Sequence, residues 1–462
     1  MGQDFFQSIA MTKHPDKHKD REVPAPLLRE VQLEEVSRPK FHVSWQKDPS
    51  WEEQQEQFKQ DLDRLRIWSK PFLKNYLPKM NLQIKTIQLE DFEFRYLEQN
   101  EVFMNRNDPE KKWTHVRIPD YKGPAEEDGN WEAYYKYEFS LALLNQEIQS
   151  CQEKDRVVLR FQCVDYIAKV YLNGNYIGSH EGIFAPFSFD ITKYLEEDNE
   201  LIVLCKNEIP ILGTGPVLDG DKIYAATGPG WDDSDLGWHH CPAGAGIFGK
   251  VELQVRPEIY VDDIFVRPEI DLDYVELRIG VHNYTLEVKE DYEFCIRLMP
   301  RNYVGKQIGE LTAHISYIGP GKNEYRYRIP VKDYRLWCPD EPWLYGAFIE
   351  VKKDEHAISE RIRNFGMKKF VSDESCTPKG KFYLNNRPIV LRGANEMGNL
   401  QQCAMSGNIS QLIDDILIAK LCHMNFYRIT QRPVQDEIYD YFDMLGMMNQ
   451  CDFPLFGFLR RP

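Results

Sequence analysis

Three short stretches late in the chain concentrate side chains that can make several directed hydrogen bonds at once: Asn395-Glu396, Arg428 with Thr430-Gln431-Arg432, and Asp452. Carboxylates, amides and guanidiniums offer donors or acceptors in fixed planes, so a cluster of them could bind several hydroxyls of a sugar. The same groups could instead form a structural ion-pair network that ties neighbouring strand ends together. Arg392 reads differently, as the anchor of a buried carboxylate rather than a ligand-facing group. Upstream, residues 207–247 hold Gly213, Gly215, Gly220, Gly228, Gly230 and Gly237 beside Trp231, Asp232, Asp233, Asp235, Trp238, His239 and His240. That is long for a connection in a compact domain. It reads either as a packed connection held by its two tryptophans or as a loop that carries an aromatic ring and carboxylates, Asp235 and Trp238 among them, to a polar ligand.

Other chemistries find less support. No HExxH, GxSxG or Walker A stretch occurs, and Gly178, Gly182, Gly228 and Gly230 do not form a phosphate-cradling loop that opens a helix. His423, between Cys422 and Met424 ahead of a strand, reads as a packed histidine rather than a base. His239-His240 lack a second cluster at metal-ligand spacing, so neither a metal nor a cofactor is expected.

The elements that must hold the polar cluster follow from periodicity. Ile389, Val390 and Leu391 form a short apolar run ending at Arg392-Gly393, followed by a loop and then by Leu412, Ile413, Ile416, Ala419 and Leu421 at helical spacing. Phe426 and Ile429 belong to a second strand. Pro433, Asp436 and Glu437 open a second helix that Gly446 ends, and Met447 to Cys451 form a third strand. Alternating strands and helices call for a parallel sheet, whose ligands gather at the strands' carboxyl ends. That is where Asn395, Glu396, Arg428, Gln431 and Asp452 fall.

Before this comes a longer β-rich region. Val157, Leu159, Phe161 and Cys163 alternate with more polar neighbours, Ala168, Val170 and Leu172 follow, and Asn173-Gly174 is a favoured hairpin turn. Val275, Leu277, Ile279 and Val281 alternate again beyond Pro257. The amino-terminal residues to about 47 are polar and irregular; Ser50 with Glu53 makes a capping box for a helix carrying Trp51, Phe58, Leu62 and Leu65, which Pro71 stops. The expected organisation is an amino-terminal extension with one amphipathic helix over 1–90, a sandwich over 91–257, a second over 258–366, and the start of a β/α domain over 367–462.

Composition bounds the partners. The 462 residues carry 73 acidic and 57 basic side chains, a formal charge of −16, which disfavours nucleic acid or an anionic membrane surface. No apolar run spans a bilayer and no secretory signal opens the chain. Ten scattered cysteines without a CxxC pair fit a reducing cytoplasm.

Seven stretches in order carry a resemblance: WEAYYKYEF from Trp131, KVYLNGNYIGSHEGIFAPFSFDIT around Asn173, AGIFGKVEL from Ala245, WCPDEPWLY from Trp337, FGMKKF from Phe365, LNNRPIVLRGAN from Leu384 and KLCHMNFYRITQRP from Lys420. From about residue 90 onward the chain resembles the family 2 glycoside hydrolases, the group of β-galactosidases, β-glucuronidases and β-mannosidases. The resemblance implies a mainly β, multi-domain protein: a sugar-binding-type jelly roll, an immunoglobulin-like sandwich, and about three strands of a (β/α)8 TIM barrel. Arg392, Gly393 and Asn395 fall on the family's Arg-Gly-x-Asn element; Asn425, Arg428 and Pro433 fall on its Asn-x-x-Arg-x-x-x-x-Pro element. Gln431 stands where galactosidases usually carry a histidine, and Glu396-Met397 replaces their Arg-His pair. Asp452-Phe453 looks like the mannosidase-leaning branch, without the preceding Trp. The family's acid/base and nucleophile glutamates follow its fourth and seventh barrel strands, so no residue here receives either role. The implied activity is that of an exo-acting, retaining β-glycosidase on a carbohydrate partner, with a second chain or a further carboxyl-terminal segment completing the barrel. The alternative is a non-catalytic carbohydrate-binding or scaffolding protein.

Overall fold

Alternating apolar side chains and paired turn residues build the first half of the described chain. The structure, a computed structural model, describes residues 49–462 except 83, 98–111, 120–129, 143–154, 165–166, 183, 209–245, 248, 376–379, 397, 431–432 and 453–462. The chain divides into two units, Met1–Phe58 and Lys59–Pro462. Helix α1 (Trp51–Ser69) begins in the first, where the capping box forms as its sequence predicts: the Ser50 amide donates to Glu53 Oε2 (2.7 Å) and the Glu53 amide to Ser50 Oγ (3.2 Å).

In the second unit, two antiparallel sheets face each other. One runs β3 (Thr114–Arg117), β2 (Asp91–Tyr96), β4 (Asn130–Ser140), β9 (Asp198–Glu208), β6 (Ile167–Leu172) and β7 (Asn175–Glu181); the other runs β1 (Lys85–Leu89), β10 (Val251–Arg256), β5 (Arg156–Phe161) and β8 (Phe187–Asp190). Phe92, Leu159, Phe161, Ala168, Val170, Val203 and Leu253 share the core between them. The β6–β7 turn is Asn173-Gly174, both at positive φ (50° and 77°), the backbone that a tight hairpin requires. The Asn173 side chain accepts from the Glu200 amide and donates to Tyr194 O, fixing the turn against β9.

A second sandwich follows. One sheet runs β11 (Ile259–Glu269), β12 (Tyr274–Asn283), β15 (Gly321–Pro330); the other runs β14 (Gly309–Ile318), β13 (Lys289–Pro300), β16 (Tyr345–Lys353), β17 (His356–Phe365). On β12 every second residue is buried, Val275, Leu277, Ile279 and Val281 among them, as the alternation predicts. Then come a small antiparallel sheet, β18 (Phe370–Asp373), β19 (Lys381–Leu384) and β20 (Arg387–Ile389), and a parallel one, β21 (Gly393–Glu396), β22 (Phe426–Ile429) and β23 (Met448–Cys451). Helices α2 (Asn399–Met405) and α3 (Ile409–Leu421) lie between β21 and β22; α4 (Asp436–Leu445) lies between β22 and β23. The β/α part is thus an unclosed piece of barrel. No helix among the described residues is long and apolar enough to cross a membrane.

Three expectations shift here. The run Ile389-Val390-Leu391 is not the first parallel strand: β20 ends at Ile389 and β21 starts at Gly393. The parallel ladder opens at Gly393 opposite Phe426, an approach so close that a Cβ there would lie 1.9 Å from Phe426 O. The stretch read as a loop after Glu396 also contains α2. His423, in contrast to the packed residue expected, is exposed and left-handed (φ 60°). It ends α3 in a Schellman motif, with its amide donating to Lys420 O and that of Met424 to Ala419 O.

The β/α part is fastened to the second sandwich at Trp337, which is 1% exposed. Its amide donates to Met367 O (2.9 Å), its indole Nε1 to Asp443 O of α4 (2.8 Å), and its own carbonyl accepts from Asn385 of the β19–β20 turn (2.9 Å). Gly446, left-handed at the end of α4, leaves room for Pro339 O, 2.2 Å from where its Cβ would be. Lys420 Nζ donates to Pro339 O (2.7 Å) and Gly446 O (3.3 Å) while lying 4.8 Å from the centre of the Trp68 ring.

Burial pushes the Lys420 amine down from its ordinary 10.5 to about 8, against the opposing pull of Asp340. The unfolded chain therefore binds more protons than the folded one between these two values, and stability rises with pH across that window. Urea midpoints of the wild-type protein should climb relative to Lys420→Met from pH 8 to pH 10 and keep a constant offset below pH 7.5. A constant offset throughout would show that this amine does not titrate as described.

Candidate functional site

The parallel register sets the polar residues side by side. Asn395 on β21 is opposite Arg428 on β22, which is opposite Gln450 on β23, and adjacent strands lie about 4.8 Å apart. Asn395 is exposed. Arg428 grips Asp452 with a two-point fork, Nε to Oδ1 at 3.2 Å and Nη2 to Oδ2 at 2.6 Å. The Asp452 side chain is 15% exposed and that of Arg428 41%. Gln450 Nε2 also donates to Asp452 Oδ1 (3.1 Å). Gln450 was absent from the sequence-based set, although its position two residues before Asp452 is the spacing that places both side chains on one face of a strand.

Glu396, expected on the ligand-facing wall, is 5% exposed. Its Oε1 accepts from the Gly398 amide (2.8 Å) and the Leu400 amide (2.9 Å), taking up donors that the first turn of α2 leaves unpaired. Its position inside β21, rather than in a loop beyond it, turns the carboxylate toward the following helix. Among the described residues Arg392 reaches no buried carboxylate: it is exposed, and its backbone is what binds, the amide donating to Asn425 Oδ1 (2.8 Å) and the carbonyl accepting from the Asn425 amide (2.9 Å). Asn425 Nδ2 in turn donates to Val390 O (3.0 Å), so this asparagine stitches the approach to β21 onto β22. Gln431, Arg432, Asp235 and Trp238 lie outside the described residues.

The strand ends therefore bring together Asn395, Arg428, Gln450 and Asp452, with Glu396 beneath them supporting the backbone. Chemically the set can exchange hydrogen bonds with hydroxyls through the exposed Asn395 amide and the part-exposed Arg428 guanidinium. Among the described residues no three of His, Cys, Asp or Glu converge as a metal site would require.

Comparison with known proteins gives this arrangement its context. Residues 113–215 match the family model described as glycosyl hydrolase 2 galactose-binding domain-like, 259–368 match glycosyl hydrolases family 2, and 377–459 match the family 2 TIM barrel domain. The β-galactosidase of Halalkalibacterium halodurans is 24% identical over 336 residues, covering 72% of this chain and 29% of the relative. That of Thermoanaerobacter pseudethanolicus is 25% identical over 331 residues (70% and 39%), and the β-glucuronidase of Rattus norvegicus 25% over 305 (64% and 44%). The chain thus spans less than half the length of these relatives. Among solved structures, Bacteroides uniformis β-glucuronidase superposes with a TM-score of 0.61 at 20% identity, covering 80% of this chain and 42% of that one. A putative β-galactosidase from Bacteroides fragilis gives 0.60 at 19% identity (81% and 54%). These superpositions carry the fold.

Two outcomes follow from the geometry. Glu396→Ala, which strips two amides of their acceptor, should cost about 1–2 kcal/mol, while Glu396→Gln, which keeps a carbonyl oxygen in place, should cost less. Denaturant titration of both variants checks this, and equal losses would argue against the capping role. In a double-mutant cycle, Arg428→Gln and Asp452→Asn should couple by up to about 1 kcal/mol, the guanidinium being too exposed for more. Strict additivity would mean that the fork contributes nothing to stability.

Proposed function

Because the chain is built from the family 2 glycoside hydrolase domains in the family's order, with the barrel domain unclosed, we propose that it is the amino-terminal part of an exo-acting, retaining β-glycosidase. The supporting observation is the run of three parallel strands whose carboxyl ends gather Asn395, Arg428 and Asp452 on the face where barrel enzymes hold substrate. In this reading the jelly roll spans 91–257, the immunoglobulin-like sandwich 258–366 and the barrel part 367–462. Asn395, Arg428 and Asp452 face a β-glycoside together with Gln431, Asp235 and Trp238, and Glu396 holds the wall in place. The scattered cysteines support a cytoplasmic setting.

A retaining mechanism needs two carboxyl groups about 5 Å apart, one that protonates the leaving oxygen and one that attacks the sugar carbon. Neither Glu396, occupied with backbone amides, nor Asp452, held by Arg428, is free to act as that nucleophile. The catalytic pair then comes from further polypeptide that completes the barrel, in a longer form of this protein or in a second chain. The second reading, a carbohydrate-binding or scaffolding protein, draws on the same saturation of both carboxylates.

The 462-residue chain alone should release no nitrophenol from a panel of nitrophenyl β-glycosides, and the product of its complete coding sequence should turn over at least one of them. Turnover by the chain alone, abolished in both Glu396→Gln and Asp452→Asn, would place the catalytic pair within these residues. Inactivity of the complete product on every member would favour the binding protein.

A further inference from the structure

Where the two sandwiches meet, an arginine of the first is held by aromatic rings of the second. Arg256, the last residue of β10, is 4% exposed. Toward its own sandwich, Nε and Nη2 both donate to Gln254 Oε1 (3.0 and 2.6 Å). Toward the other, Nη1 donates to the Tyr284 hydroxyl (2.7 Å), the guanidinium lies 4.6 Å from the centre of the Tyr260 ring, and Asp262 Oδ1 is 3.8 Å away. Tyr284 in turn stacks on His282, with ring centres 4.1 Å apart and planes 8° from parallel. Val281 and Asn283 are buried inside the second sandwich, so the alternation of β12 turns His282 to the outer face, where it is half-buried. Its register partners are Tyr260 on β11 and Lys322 on β15. The charged groups that act on it from the surrounding strands are Arg256 of β10, Asp262 of β11, Lys322 of β15 and Asp190 of β8. Burial comes first and, with Lys322 and Arg256, outweighs the pull of Asp262 and Asp190, so the ring holds a proton less readily than its ordinary 6.5 implies.

We propose that the chain His282–Tyr284–Arg256 is an acid-sensitive joint between the two sandwiches, closed while the imidazole is neutral and loosened when it takes a proton. A proton on His282 adds a third positive charge beside Arg256 and Lys322 in a half-buried position. A loosened joint returns the ring to water, where it binds the proton with its ordinary affinity. The loosened form therefore binds more protons than the closed one between the lowered value and 6.5, so closure strengthens as pH rises to about 6.5 and is constant above it. The effect reaches the β/α part through one strand. Arg256 ends β10, and Lys250, immediately before its start, donates from Nζ to Glu437 Oε1 of α4 (3.0 Å), the helix between β22 and β23. Six residues of extended chain, about 20 Å, join the two contacts. Loosening at Arg256 thus removes one of the two ends by which β10 ties the first sandwich to the rest of the protein.

The Tyr284 amide reports the joint directly, because it donates to Glu258 O (2.9 Å) of the connection between the sandwiches. Hydrogen exchange of the 462-residue chain, followed by mass spectrometry at pH 7.5 and pH 5.0 and corrected for the intrinsic rate, tests the proposal. Protection of peptides spanning residues 257–262 and 282–286 should fall several-fold at pH 5.0 relative to a peptide from β13, whose Phe294 and Leu298 are wholly buried. In His282→Phe, which keeps a ring against Tyr284, and in His282→Gln, that relative fall should disappear. An equal loss at β13, a ratio that does not change with pH, or a fall that persists in both variants each overturns the joint.

Discussion

Trp337 is the point at which the β/α part is fastened to the second sandwich. This one residue, its side chain almost wholly withdrawn from solvent, bonds three elements: its backbone amide reaches Met367 at the end of the second sandwich, its carbonyl accepts from Asn385 of the β19–β20 turn, and its indole N–H donates to the Asp443 carbonyl of helix α4. Burying an aromatic of this size contributes stability from apolar area, and the N–H that would otherwise be costly finds an acceptor in the facing helix. The neighbouring backbone is shaped to admit it, since a Cβ on Gly366 would come within 2.8 Å of Trp337 Cβ. Lys368 covers the ring at 4.2 Å and also approaches Asp443 (3.4 Å), so cation, ring and carboxylate form one contact with α4. If this wedge moved, the parallel strands would no longer be held against the sandwich.

From that anchoring the polar face inherits its register. Gly393 lets β21 approach β22 at the distance a parallel ladder requires, and Asn425 bonds the chain on both sides of Arg392. Asn395, Arg428 and Gln450 then share one row without further adjustment. The charges there are largely spent on one another. A forked guanidinium–carboxylate pair is geometrically demanding and holds both partners still, which suits the preorganised wall of a sugar site as well as it suits a structural tie. Of the two interpretations weighed from sequence, the structural tie is present as the Arg428–Asp452 pair.

The opposite end of the same sheet is less finished. The carboxyl ends carry the Arg428–Asp452 pair, while the amino ends of β21 and β22 adjoin a groove whose lining mixes apolar side chains with Arg387, Arg392, Asp340 and Glu341.

Much of this was legible in the amino-acid order alone. Period-two burial on β12, the Asn173-Gly174 hairpin, the Ser50–Glu53 capping box and the Gly446 helix stop are local, depending on residues within a few positions of one another, and each appears where the pattern placed it. The β/α alternation and the polar residues near its strand ends were likewise visible. What sequence could not decide was set by contacts distant in the chain. Ile389-Val390-Leu391 has the composition of a strand, yet Ile389 ends the antiparallel β20 and the parallel strand starts at Gly393, where the absent Cβ admits Phe426 O. That shift of register buries Glu396 under a helix start and leaves Val390 in solvent. His423 looks like a core residue by its neighbours, but the Schellman motif gives it a left-handed backbone and turns it outward. Arg428 and Asp452, 24 residues apart, become one group only because parallel pairing brings β22 beside β23. Local propensity writes the elements; which faces meet, and which charges cancel, is a property of the packed sheet.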